Sequence, residues 1–74
     1  MENEFLTLLA EALEINDREL LLTDEFRNYP EWDSLALLSV IAMIDDEYEV
    51  IIDGNDFAKL RTNADLVEAI KSQQ

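Results

Sequence analysis

Ser34 is the side chain whose setting points most directly to chemistry. It stands in Glu31-Trp32-Asp33-Ser34-Leu35, where an acidic loop gives way to a long amphipathic stretch. A hydrolytic hydroxyl nucleophile needs a base within hydrogen-bond reach and donors for the oxyanion. The chain has no histidine and no cysteine, and its two lysines, Lys59 and Lys71, lie far along from the serine. No glycine-flanked strand-to-helix elbow surrounds it either. No residue is therefore assigned a catalytic role. The acids Asp45-Asp46-Glu47 and Glu49, then Asp53-Gly54-Asn55-Asp56, supply many oxygens. They lack the alternating ligands and late bidentate glutamate of a calcium loop, so no dedicated metal site is expected. What Ser34 is placed to do is carry. A helix N-terminus offers free amides and the favourable end of its dipole to a phosphodiester. A serine in that first turn suits a phosphate-linked group; the plainer alternative is an ordinary capped helix start.

The elements that must position this serine can be read from periodicity. A first helix is predicted from about Asn3, its candidate cap, to Ile15, with Phe5, Leu8, Leu9, Ala12 and Ile15 on the inner stripe and Leu6 and Leu13 beside it. Residues 16–33 form a long connection whose Leu20, Leu21, Leu22, Phe26 and Tyr29 are expected to pack across the helices. Tyr29 precedes Pro30 and should be extended, and Trp32 should anchor the loop end to the body. The second helix is predicted from Ser34 to about Glu49, capped by Asp33. Leu37, Val40, Ile41, Ile44 and Tyr48 converge on its inner side at about 100° per residue. The opposite face collects Leu35, Leu38, Ser39, Ala42, Asp45, Asp46 and Glu49, an apolar start followed by acids, as a partner-docking surface would. Leu35 is expected to be exposed, whereas Leu38 is either exposed or covered by the preceding loop. Val50-Ile51-Ile52 reads as an extended link. Asp56 to Leu60 forms a turn or two of helix with Phe57 and Leu60 inward. A last helix, Ala64 to about Ser72, follows the capping-box pattern of Thr62 and Asp65 and buries Leu66 or Val67 with Ile70.

Seventy-four residues make one domain, 1–74, with an all-α architecture of three main helices and a short one. Without disulfides, its stability must come from close helix packing. Eighteen acids against five bases give a net charge of −13. That surface repels nucleic acid and anionic membranes and attracts basic partners. The acidic start Met1-Glu2-Asn3-Glu4 is unlike a targeting segment, and no apolar run approaches the ~20 residues of a membrane span. A cytoplasmic monomer is expected.

Asp33-Ser34-Leu35 at the head of the second helix, Phe26 eight residues ahead, and Asp45-Asp46-Glu47-Tyr48 resemble the acyl carrier protein family. So do the link ending in Ile52 and the closing Phe57, Leu60, Thr62, Ala64 and Ile70. The resemblance spans nearly the whole chain. It implies that a phosphopantetheinyl transferase attaches 4′-phosphopantetheine from coenzyme A to Ser34, with Asp33 helping the enzyme and its magnesium ion engage. It also implies that Leu35, Leu38, Ala42, Asp45, Asp46 and Glu49 meet the basic docking surfaces of acyl-loading and acyl-transferring enzymes. Short acyl chains would lie near Ile44, Ile52 and Leu60. The chain departs from the fatty-acid pattern at Tyr29-Pro30-Glu31-Trp32, and at Ala36 and Ser39, where acids are usual. Tryptophan before Asp-Ser resembles stand-alone carriers of specialised pathways. The expected function is carriage of acyl groups as thioesters, for fatty acids or a specialised lipid or polyketide-like product. The rivals are an aminoacyl carrier, including a D-alanyl one, and an unmodified acidic adaptor.

Overall fold

In the computed structural model, which describes Met1–Gln74, four α-helices enclose one core. The first, α1 (Glu2–Leu13), buries Phe5, Leu9 and Leu13 at four-residue spacing, with Leu8 and Ala12 half-buried on its flank. It ends sooner than predicted because Glu14 turns left-handed (φ 58°), which folds Ile15 back into the core. Asn3 is not the cap. It lies inside the first turn, its carbonyl accepting from the Thr7 hydroxyl at 3.1 Å, while the Phe5 N–H donates to the Met1 carbonyl. Packing of Phe5 sets the helix start, and Glu2 and Glu4 suit the positive end of the dipole.

The connection that follows is pinned. Leu20 and Phe26 are buried, Leu22 and Tyr29 half-buried, and Phe26–Asn28 makes a 3₁₀ turn absent from the sequence reading. Leu21, expected to pack, is exposed; its backbone serves instead, the N–H donating to Asp24 and the carbonyl accepting from Asn63. Bonds from Phe26 N–H to the Arg61 carbonyl, Asn63 N–H to Asp24 and Ala64 N–H to Leu22 stitch this segment to the start of the last helix.

Helix α2 (Ser34–Tyr48) begins where predicted. Val40 and Ile44 are buried as expected, but Ala36 completes the innermost line, leaving Leu37, Ile41 and Tyr48 half-buried. The small Ala36 side chain permits close approach at the helix start. Helix α3 (Gly54–Phe57) is a single turn capped by Asp53, and α4 (Asn63–Gln73) carries the full capping box of Thr62 and Asp65, burying Leu66, Val67 and Ile70 together. Between α2 and α3, Val50 and Ile52 point inward and Ile51 outward, the alternation of an extended link. Helix α1 packs against both α2 and α4.

Candidate functional site

Asp33 is extended, and its Oδ1 accepts from the Ala36 N–H at 2.8 Å while its carbonyl accepts from Leu37. An α-helix leaves its first amides without intrahelical partners. With those of Ala36 and Leu37 taken, the N–H groups of Ser34 and Leu35 are left without hydrogen-bond partners beside the exposed Ser34. Nothing in this arrangement activates the serine: Asp33 is committed to the helix amide, and Lys71 pairs with Glu2 at 3.2 Å. The hydroxyl is presented, unassisted, at an open anion-receptive helix end.

The loop entering α2 is held rigid from below. Trp32, as expected, lies against the body, its ring 5.0 Å from Phe26 and 6.0 Å from Phe57 between centroids. Tyr29 donates its hydroxyl proton to Asp24 at 2.7 Å and accepts from the Asn63 amide at 3.0 Å. Burial above all, then the bond to Asp24, pushes the Tyr29 phenol up to about 12. Arg18 lies over the Tyr29 ring and pairs with Asp17 and Glu31. Arg27 donates to the carbonyls of Phe57 and Leu60, tying the loop to the end of α3.

On the outer face of α2, Leu35 is 73% exposed and Leu38 62%, so the loop covers neither. Ser39, Ala42, Asp45, Asp46 and Glu49 are exposed along the same helix side, Glu49 as its left-handed C-cap. Ile44 and Ile52 lie in the core, and Leu60 is half-buried at its edge. Sequence reasoning missed three residues that shape this end of the molecule. Arg27 and the fully buried Asn63 gave no local sign of their long-range partners, and Ala36 was left off the inner stripe of α2.

Residues 3–70 match the family model for the phosphopantetheine attachment site. The chain belongs to that family. This phosphopantetheine-attachment domain is a carrier protein, and its cofactor is covalently attached phosphopantetheine. Its fold is similar to the solution NMR structure of the holo acyl carrier protein from Geobacter metallireducens. The TM-score is 0.81 at 15% identity, over 96% of this chain and 82% of the other. A search of curated proteins found no match. The head of α2 fits the group: an exposed hydroxyl to esterify and two free amides for a phosphodiester, with the capping Asp33 the one carboxylate beside them.

Proposed function

We propose that Ser34 is the attachment residue and that the domain ferries acyl groups between biosynthetic enzymes. The observation that carries this reading is the exposed Ser34 hydroxyl beside unclaimed helix amides. When attached, the arm supplies the thiol, absent from this cysteine-free chain, that holds cargo as a thioester. In a phosphopantetheinyl transferase, Ser34 Oγ attacks the β-phosphorus of coenzyme A. The new phosphodiester forms as the pyrophosphate bond breaks, and adenosine 3′,5′-bisphosphate leaves. The hydroxyl proton passes to a base of the transferase, since this chain offers none at the site. Asp33 holds Ser34 at the head of α2 and presents a carboxylate to the transferase and its magnesium ion.

Leu35 and Leu38 enter apolar depressions of partner enzymes, Ala42 lets the surfaces approach, and Asp45, Asp46 and Glu49 meet arginines and lysines. Charge-steered, quickly reversed docking suits a shuttle that must leave each enzyme after each step. Ile44, Ile52 and Leu60 border the space for short acyl chains. The acidity favours acyl over aminoacyl cargo. A first turn of α2 without acids favours partners of a specialised lipid or polyketide-like pathway over those of fatty-acid synthesis. The working state is a cytoplasmic monomer.

The test is an intact mass after incubation with coenzyme A, magnesium and a broad-specificity transferase. The native chain should gain one phosphopantetheinyl group and Ser34→Ala none, with both equally folded. A mass gain in Ser34→Ala would place the arm elsewhere.

A further inference from the structure

An open groove of about 460 Å³ runs along the seam between α1 and α2. Its lining combines two chemistries. Leu8, Ala12 and Met43 are half-buried, and the last two pack against the core, so the seam offers apolar surface to water. Around it stand Glu11 of α1 and Asp46 and Glu47 of α2, all exposed and none in an ion pair within the chain. Ala12, Ser39 and Ala42 are small, which leaves room above the seam for a third element. From Ser39 to Glu47 the groove runs about 12 Å along α2, a little over two helical turns. At about 100° per residue, Ser39, Met43 and Asp46 lie roughly 100° around the helix from the line of Leu38, Asp45 and Glu49. The groove shares only Ser39, Ala42 and Asp46 with the outer face; Leu8, Glu11, Ala12, Met43 and Glu47 belong to the seam alone.

We propose that this seam is a second docking site, and that its occupant is a basic amphipathic helix of a partner protein. The proposal goes beyond the carriage of acyl groups and does not depend on it. Apolar side chains at helical spacing cover Leu8, Ala12 and Met43, and lysines or arginines beside them meet Glu11, Asp46 and Glu47, as a helix laid in a groove requires. Charge decides the occupant. The chain has five bases, of which Arg18, Arg61 and Lys71 are already paired, and a net charge of −13. A second copy is therefore repelled and brings few cations to the rim. A small molecule would be left mostly in water, whereas ligand pockets bury most of their ligand. Ser39, the lining residue nearest Ser34 in sequence, sits about 7.5 Å along the axis from it and about 140° around the helix. A helix held in the seam thus leaves the head of α2 uncovered, so this partner holds the carrier instead of working on its serine.

The probe is a synthetic helix of about 18 residues, long enough to hold its shape in water, with leucines along one face and lysines along the other. A scrambled peptide of the same composition carries the same charge without an apolar face. Each is titrated into the isotope-labelled, unmodified native chain at physiological ionic strength while amide chemical shifts are followed. The amphipathic peptide should move residues 8–12 and 39–47, leave Ser34 and Leu35 in place, and bind several-fold more tightly than the scrambled one. Glu11, Leu35 and Glu68 are exposed, so substitutions there should leave the fold intact, as circular dichroism would verify. Glu11→Lys should weaken binding several-fold. Leu35→Ala should leave it unchanged, and Glu68→Lys, the same change of charge on α4, should alter it far less. Shifts centred on Leu35, Leu38 and Glu49 overturn the proposal, because the outer face alone would then dock. No binding, equal binding of the scrambled peptide, or equal weakening by Glu11→Lys and Glu68→Lys overturns it as well, leaving the acids as a diffuse field. Because the unmodified chain is used, failure of Ser34 to accept the arm would not alter the result.

Discussion

Asp33 does two jobs that substitution can separate. Its Oδ1 caps α2 through the Ala36 N–H, and its charge is proposed to face the transferase. Asp33→Ala should lower unfolding free energy by about 1 kcal/mol in denaturant titrations, the usual cost of losing a cap. Asp33→Asn should keep the cap and the stability but slow phosphopantetheinylation; an unaltered rate would confine Asp33 to the cap. Tyr29 has a similarly legible chemistry. Its hydroxyl joins Asp24 to Asn63, whose Nδ2 also holds the Leu21 carbonyl. Tyr29→Phe leaves one N–H of the buried Asn63 amide without its partner and should cost about 1–3 kcal/mol. Because the folded state raises the phenol from its ordinary value of 10 to about 12, it retains the proton the unfolded chain releases. That contribution is full below pH 10 and lost as pH rises toward 12. An alkaline fall in stability should be present in the native chain and weaker in Tyr29→Phe.

At the scale of elements, helix ends decide the path of the chain. Both α1 and α2 finish on a left-handed glutamate, Glu14 (φ 58°) and Glu49 (φ 57°), where glycine is the usual occupant. Glu14→Gly should stabilise the fold by up to ~1 kcal/mol, because the strain relieved slightly exceeds the added chain entropy. A lower thermal midpoint would show that the glutamate side chain packs usefully there. The start of α4 depends on Asp65, whose carboxyl is held below its ordinary value mainly by the backbone N–H groups of Thr62 and then Arg61. A lowered carboxyl contributes above its unfolded value of 3.8 and loses that contribution as pH falls through the folded one. Asp65→Asn should lack this acid-dependent share. For α3, Arg27→Gln should speed amide exchange across residues 54–60 while α4 stays protected, since the Arg27 guanidinium ties that turn to the preceding loop.

For the whole molecule, charge is the dominant surface property. Of the 18 carboxylates, only Asp17, Glu31, Glu25 and Glu2 lie in ion pairs. Glu4, Glu11 and Glu14 along α1 and Asp45, Asp46, Glu47 and Glu49 at the end of α2 have no cation against them. The fold still holds a radius of gyration of 11.0 Å, the ~11 Å expected for this length. The core therefore contains a repulsion that salt should relieve. Thermal midpoints should rise from low salt to physiological ionic strength and again with millimolar magnesium; a flat response would mean that the acids are too far apart to matter. No helix is long and apolar enough to cross a membrane.

Local rules were enough to place Ser34 at the head of α2. The Asp33 cap, the proline-restricted Tyr29 and the periodicity of Val40 and Ile44 act within a few residues. The capping box of Thr62 and Asp65 was legible for the same reason, as was the family resemblance carried by residues in fixed order. What only the tertiary structure decided involves partners distant in sequence. Arg27 finds carbonyls 30 and 33 residues away, and Asn63 reaches Leu21 across 42. Leu38 was left open by the sequence because its cover depended on the path of a long loop, and Ala36 displaced Leu37 because close approach rewards the smaller side chain. The left-handed helix ends had no glycine to announce them. The Trp32–Phe57 stack joins two aromatics that no periodicity connects; it exists because the bundle brings the head of α2 and the single turn of α3 together.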